Sequence, residues 1–291
     1  MSQWQSSKGS AAKVYATPSL FKDYNKLTKD LLTKDFPTPN KWVLECKYKG
    51  PKDTFFINPK ANSDGKMSAD IEYVAACNGG LKVTVTPDIM REVKATAHYT
   101  IQGHKVAVAL QRLQDKYHYE ISHETCVALS KRASINEKLT PTHVELGMGI
   151  DVAPNCQVGC GATYDIGAND CNWNIGCRYA GRGCEMAVRT NRLKTYHTSA
   201  SAPCSFMLNG NRCMMRAAVE VMCGRGLGDK GVAVTVGVEA TCPVHPANTI
   251  KARVDRDMKW AAAYIVKMAD NWTACLSWDE NMKVGVQMTH S

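Results

Sequence analysis

The chain has 291 residues, 44% of them hydrophobic, with a mean hydropathy of −0.30, which allows one large β domain or two ordinary ones. Its longest apolar stretch, Trp260 to Val266, is bounded by Lys259 and Lys267, far short of the roughly 20 residues of a membrane-spanning helix. The net charge of +9 is carried by lysines that recur singly rather than in a run, which suits small anions and argues against a nucleic-acid partner.

Met1 to Lys13 is rich in Ser and Gln with no apolar core, and the first arginine is Arg91. Neither a secretory signal nor an Arg-rich transit peptide is expected, and residues 1–16 read as a flexible extension. Residues 17–36 read as an amphipathic helix. Thr17 stands at the N-cap and Pro18 at the first helical position. Leu20, Phe21, Tyr24, Leu27, Leu31 and Leu32 form the apolar side, Lys22, Lys26 and Lys29 the wet side, and Pro37 and Pro39 stop the element.

Beyond Asn40 the pattern changes to period two. In Lys66 to Tyr73, Met67, Ala69, Ile71 and Tyr73 share one face while Lys66, Ser68, Asp70 and Glu72 share the other. Such alternation makes a strand with one wet and one greasy side. It begins at Trp42 to Tyr48 and Thr54 to Asn58, turns at Asn62-Ser63-Asp64-Gly65 and continues through Val93 to Ile101 and Val106 to Leu110. Later strands are expected at Tyr117 to Ile121, Val144 to Val152, Val158 to Tyr164, Trp173 to Tyr179 and Ala217 to Cys223, and five more follow up to Val284 to Met288. Three short candidates fall between Glu185 and Asn211.

About 19 strands result, each with the roughly 9–11 residues of a tilted membrane strand. The apolar faces are rich in Ala, Val, Cys and Met, and the chain has 5 Phe. This favours an all-β transmembrane barrel, residues 41–291, over a soluble sandwich or propeller; a closed barrel also removes free strand edges. The wet faces would then enclose a path lined by Lys47, Lys66, Lys82, Lys94, Lys105, Arg178, Lys251 and Arg253.

Thirteen cysteines invite a zinc or disulfide reading. The spacings among Cys156, Cys160, Cys171, Cys177 and Cys184 match no paired zinc pattern, and Cys46, Cys160 and Cys177 fall on apolar faces, so they read as small hydrophobes. Gly224 to Gly228 lacks the Lys-Ser/Thr of a phosphate loop, and His123-Glu124 lacks the second histidine of a zinc protease helix. No nucleophile, base and orienting group assemble. A non-enzyme without a cofactor or metal is expected.

Lys26-Leu-Thr-Lys-Asp-Leu-Leu-Thr-Lys-Asp-Phe36 ahead of the first strand resembles the N-terminal helix of the mitochondrial porins, the voltage-dependent anion channels. The end of the chain, Lys283 to His290, is similar to that family's C-terminal sorting signal: Lys283, Gly285 and Met288 match it, and His290 departs from it at the last hydrophobic place. Gly80-Leu81-Lys82 resembles the family's Gly-Leu-Lys tripeptide, earlier in the chain than expected. Animal members carry a membrane-facing glutamate on an early strand; here Val83 and Val85 take the outward places and Glu72 the wet face.

The resemblance implies a 19-stranded barrel in the mitochondrial outer membrane, with the N-terminal helix in its lumen and Lys22, Lys26 and Lys29 toward water. Leu20, Leu27 and Leu31 would lie against the wall. It implies passage of ATP, ADP, phosphate and other metabolite anions, outer-membrane lipid as surroundings, and a homo-oligomer or larger membrane complex as a possible assembly. The rivals are the related preprotein-translocating barrel, a structural subunit of a larger complex, and a soluble cysteine-rich β protein that binds metal.

Overall fold

The computed structural model describes residues 19–50, 54–74, 79–85, 93–101, 104–113, 116–125, 133–208, 211–224, 231–269 and 271–290. The expected extension 1–16 and the cap at Thr17-Pro18 lie outside the described residues.

The amphipathic segment forms in two pieces rather than one helix. A 3-10 turn, Phe21–Asp23, is followed by α1, Lys26–Thr33. Between them Asn25 takes φ −112° and ψ 18°, which interrupts the helical run. Helical phase carries across the break: Phe21, Tyr24, Thr28, Leu31 and Leu32, at steps of three, four, three and one, are all buried.

Among the described residues twenty strand segments follow. They are β1 (Trp42–Cys46), β2 (Tyr48–Lys49), β3 (Phe55–Asn62), β4 (Met67–Val74), β5 (Gly79–Val85), β6 (Val93–Ile101), β7 (His104–Leu113), β8 (Lys116–Thr125), β9 (Ala133–Leu139) and β10 (His143–Ala153). The second half comprises β11 (Cys156–Asp165), β12 (Asp170–Gly181), β13 (Cys184–Asn191), β14 (Thr195–Leu208), β15 (Asn211–Gly224), β16 (Val232–Thr241), β17 (Thr249–Asp255), β18 (Trp260–Lys267), β19 (Trp272–Asp279) and β20 (Val284–His290). β1 and β2 pair with β3 in one continuous register, Val43 opposite Asn62 and Tyr48 opposite Ile57, so they act as one strand interrupted at Lys47. That leaves 19 strands in a single, mostly antiparallel sheet.

From β3 onward each strand pairs with its sequence neighbour, as short hairpin turns dictate. At the β3–β4 hairpin Asn62 Oδ1 accepts from the backbone N–H of Asp64 at 3.0 Å and of Lys66 at 3.1 Å, and Gly65 takes φ 74°, which a Cβ would oppose. The exception to the antiparallel rule joins the two ends of the sheet: β1 also pairs in parallel with β20, from Trp42 opposite Val286 to Cys46 opposite His290.

Among the described side chains the strands read from the sequence keep their alternation, and the apolar face is left uncovered. Leu146, Met148, Ile150, Val158, Ile175, Met186 and Val188 are all exposed on it. Cys160 and Cys177 share this face as exposed free thiols. The buried residues gather instead on the polar face, under the N-terminal segment: Phe21, Tyr24 and Ala187 in one cluster, Leu31, Leu32 and Ala218 in a second. No helix among the described residues is long and apolar enough to cross a membrane, which says nothing about strands.

Candidate functional site

The polar face and the strap laid across it form the candidate site. Residues 19–40 cross the sheet from β9 to β20, held by contacts at both ends and in the middle.

At the first end Ser134 Oγ donates to the Ser19 carbonyl at 2.8 Å. Phe21 and Tyr24 meet edge to face, ring centroids 5.1 Å apart. They sit in a patch without side chains, where Gly147 and Gly149 of β10 stand opposite Gly161 and Gly159 of β11. A Cβ on Gly149 would lie 2.8 Å from the Tyr24 hydroxyl, and one on Gly161 3.1 Å from the Phe21 ring. The glycines are thus the seat of the aromatic pair. Arg189 of β13 covers both rings, its guanidinium 4.8 Å from the Phe21 centroid and 5.7 Å from that of Tyr24, and donates to the Phe21 carbonyl. Tyr24 is fully buried with no partner for its hydroxyl among the described residues. Burial, offset in part by the Arg178 charge, pushes its phenol up to about 12.

In the middle, Leu31 and Leu32 pack on Ala218 and on Gly237, where a Cβ would come within 2.6 Å of Leu32. Thr28 is buried beside them and Leu27 is 44% exposed. Of the expected wall-facing set Leu31 is buried, Leu20 half-buried and Leu27 exposed; Leu27 is corrected, because it falls at the edge of the stripe that Phe21, Tyr24, Thr28, Leu31 and Leu32 form at helical spacing. At the far end Arg253 donates to the Leu32 carbonyl at 2.7 Å and lies 4.6 Å from the Phe36 centroid. Lys251 pairs with Asp35 at 3.0 Å and Glu239 at 3.1 Å. Ser277 Oγ donates to the Pro37 carbonyl at 2.8 Å, and Gly285 lets Pro37 and Thr38 pass where a Cβ would lie 2.6 Å from the Pro37 carbonyl oxygen.

The sequence-selected cations fall into two groups. Arg178 and Lys251 lie on the polar face but are only 7% and 4% exposed. Arg178 donates through Nε and Nη2 to Glu185 at 3.2 and 2.8 Å and through Nη1 to Gln157 at 3.1 Å, and Gln157 in turn reaches Asp151 at 2.6 Å. With Arg253 they brace the strap and the wall beneath it. Lys26, Lys29, Lys66, Lys94 and Lys105 are exposed, Lys47 lies 5.1 Å over the Phe56 ring, and Lys22 pairs with Glu124. Lys82 stands on β5 opposite Glu72 and Thr96, its side chain outside the described residues.

The face is less positive than its lysines suggest. Glu45 and Asp70 bracket Lys60 at 3.0 and 3.4 Å, and Glu120 meets Lys138 at 3.3 Å. Each part-exposed pair contributes about 0–1 kcal/mol to stability, so their main effect is to cancel charge locally.

At the sorting-signal positions, Lys283 is exposed just before β20, Gly285 has the packing role above, and Met288 lies opposite Ala274. His290 packs on Trp272 with ring centroids 5.0 Å apart, so its ring fills a place where a hydrophobic residue was expected. The glycine seat, Arg189, Ser134 and Ser277 escaped the sequence reading.

No protein-family model matches the chain, and no curated protein matches it.

Proposed function

We propose that the chain is a porin-like barrel of the mitochondrial outer membrane, with the apolar face toward lipid, the polar face around an aqueous lumen and the strap of residues 19–40 inside it. The observation that carries this reading is the division of the two faces: a continuous apolar surface left bare, opposite a polar surface on which the only helix among the described residues is packed. A bare apolar surface of this extent needs an apolar solvent or partner, and strands cross a bilayer when their backbone groups are paired all round. The parallel pairing of β1 with β20 supports this reading.

In this reading the pore passes ATP, ADP, phosphate and small metabolite anions, and it is not an enzyme. Lys94 and Lys105 on the wall and Lys26 and Lys29 on the strap raise the local anion concentration. The carboxylates of Glu45, Asp70, Glu120 and Glu124, interleaved with lysines, favour a second reading, a preprotein-conducting pore that accepts basic presequences.

Reconstitution in a planar bilayer tests both. Voltage-dependent, anion-favouring conductance is the expected result. Conductance without anion preference that a basic presequence peptide blocks would replace the metabolite channel with the second reading. Complete release of the native protein from membranes by alkaline carbonate would remove the membrane assignment.

A further inference from the structure

His104, His123 and Glu137 stand in a row across β7, β8 and β9 on the apolar face. Alternation puts His104 with Val106 and Val108, His123 with Ile121, and Glu137 with Leu139. His123 is opposite Glu137 in the β8–β9 ladder. His104 Nδ1 lies 3.1 Å from His123 Nε2, and His123 Nδ1 lies 3.3 Å from Glu137 Oε2. A shallow cavity of about 250 Å³ bounded by Ile121, His123, Glu137, Leu139, Val144 and Leu146 opens beside them. Three ionisable side chains on a greasy surface are costly to keep there without a use, and neither the strap nor the polar face touches them.

We propose that His104 and His123 chelate a late first-row divalent metal, zinc, nickel or copper(II), with Glu137 as the carboxylate that orients His123. A carboxylate on one ring nitrogen fixes the tautomer and turns the other nitrogen's lone pair toward the metal, raising its basicity. Here Glu137 accepts the Nδ1 proton of His123 and leaves Nε2 facing Nδ1 of His104. Two nitrogens bound to one tetrahedral zinc at about 2.0–2.1 Å are about 3.3 Å apart, close to the observed 3.1 Å; the rings are nearly coplanar, 3° apart with centroids 5.4 Å apart, so the nitrogens face each other head-on and each ring swings by roughly 35° to turn its lone pair onto one ion. On binding, His104 carries its proton on Nε2. Among the described residues no group of three or more ligating side chains is assembled around one point, so the remaining positions fall to water. His104 is the first residue of β7, and a strand end gives aqueous ions a path in. The site stands whether or not the barrel conducts anions.

The test uses full-length protein in detergent with its thiols blocked by N-ethylmaleimide, since thirteen cysteines would otherwise compete. Titration with nickel and zinc should give one site per chain, weakened at least tenfold by His104→Asn or His123→Asn. Glu137→Gln should weaken it about 10–100-fold without changing the stoichiometry. Copper(II) bound to the unsubstituted protein should show magnetic coupling to two imidazole nitrogens, a readout independent of how the variants fold. Equal affinity in the His104→Asn/His123→Asn double variant, or coupling to fewer than two nitrogens, overturns the proposal.

Discussion

Gly149 offers the cleanest way to lift the strap off the wall without disturbing the wall. A Cβ there lies 2.8 Å from the Tyr24 hydroxyl, 2.9 Å from Ser134 Oγ and 3.2 Å from the Ser19 carbonyl oxygen, and no carbonyl of the sheet is among these nearest atoms. Gly159 differs, because its Cβ would also lie 2.7 Å from the Met148 carbonyl oxygen of the neighbouring strand. Gly149→Ala forces Tyr24 back by about half an ångström toward ordinary contact. Gly149→Val adds two methyls to the same place and also pushes apart the Ser134–Ser19 hydrogen bond. Overpacking of this kind costs about 1–3 kcal/mol, which shifts the ratio of docked to released strap by about 5- to 150-fold. Trypsin reports it through cleavage at Lys22, Lys26 and Lys29, which should accelerate for Gly149→Ala and more for Gly149→Val while the melting of the sheet is unchanged. Tyr24→Phe deletes the atom that Cβ meets first, so combining it with Gly149→Ala should restore much of the lost protection, a coupling read by a double-mutant cycle. Unchanged trypsin sensitivity in Gly149→Val would refute the claim that the glycine patch is the seat of the strap.

Two other perturbations follow from burial. Arg178→Met leaves the Glu185 carboxylate, 1% exposed, without its charge partner; it should destabilise the protein by about 3–5 kcal/mol, with Arg178→Met/Glu185→Leu recovering most of the loss in thermal melts, and a single variant that melts like the parent would contradict it. Tyr24 holds its proton more tightly when docked, up to about 12 against about 10 when free, so its contribution of about 2–3 kcal/mol to docking is complete below pH 10 and disappears as the pH rises through 12. A tyrosinate absorbance titration should show a late component that is missing in Tyr24→Phe, accompanied by release of the strap over the same interval; release at lower pH would contradict it.

The strands were legible where one face is greasy and the other wet, and they were lost where chemistry interrupts the period. β9, Ala133–Leu139, was not anticipated because Glu137 falls between Ile135 and Leu139 on the apolar face. The same residue that hides the strand belongs to the proposed metal site. Between Glu185 and Asn211 three short candidates become β13 and the long β14. In β14, Ser199 and Ser201 alternate with Ala200 and Ala202, too alike in size and polarity to reveal two faces, and Pro203, which lacks a ladder N–H, imitates a strand end. Conversely Arg178 and Lys251 were placed on the correct face, but their burial depends on partners that period-two alternation does not show: Glu185 across the β12–β13 hairpin and Asp35 in the strap.

The glycine seat did leave a trace in the chain. Gly147-Met-Gly149 and Gly159-Cys-Gly161 are spaced symmetrically about Pro154 in the turn, so folding that hairpin sets Gly147 opposite Gly161 and Gly149 opposite Gly159. Glycine weakens a strand interior, by roughly 0.5–1 kcal/mol against alanine, and four together on one face would be a poor choice for a surface that meets only water. Something must come closer to that backbone than a side chain allows. Phe21 and Tyr24 are the bulky groups that do so, and Arg189 closes over them. The double G-x-G marks where a separate element docks, and the aromatic pair that fills it lies on the apolar stripe of the strap. Helical periodicity placed Phe21 and Tyr24 on the apolar side with Leu27; the two aromatics meet the seat and are buried, whereas Leu27 falls at the edge of the stripe and is exposed.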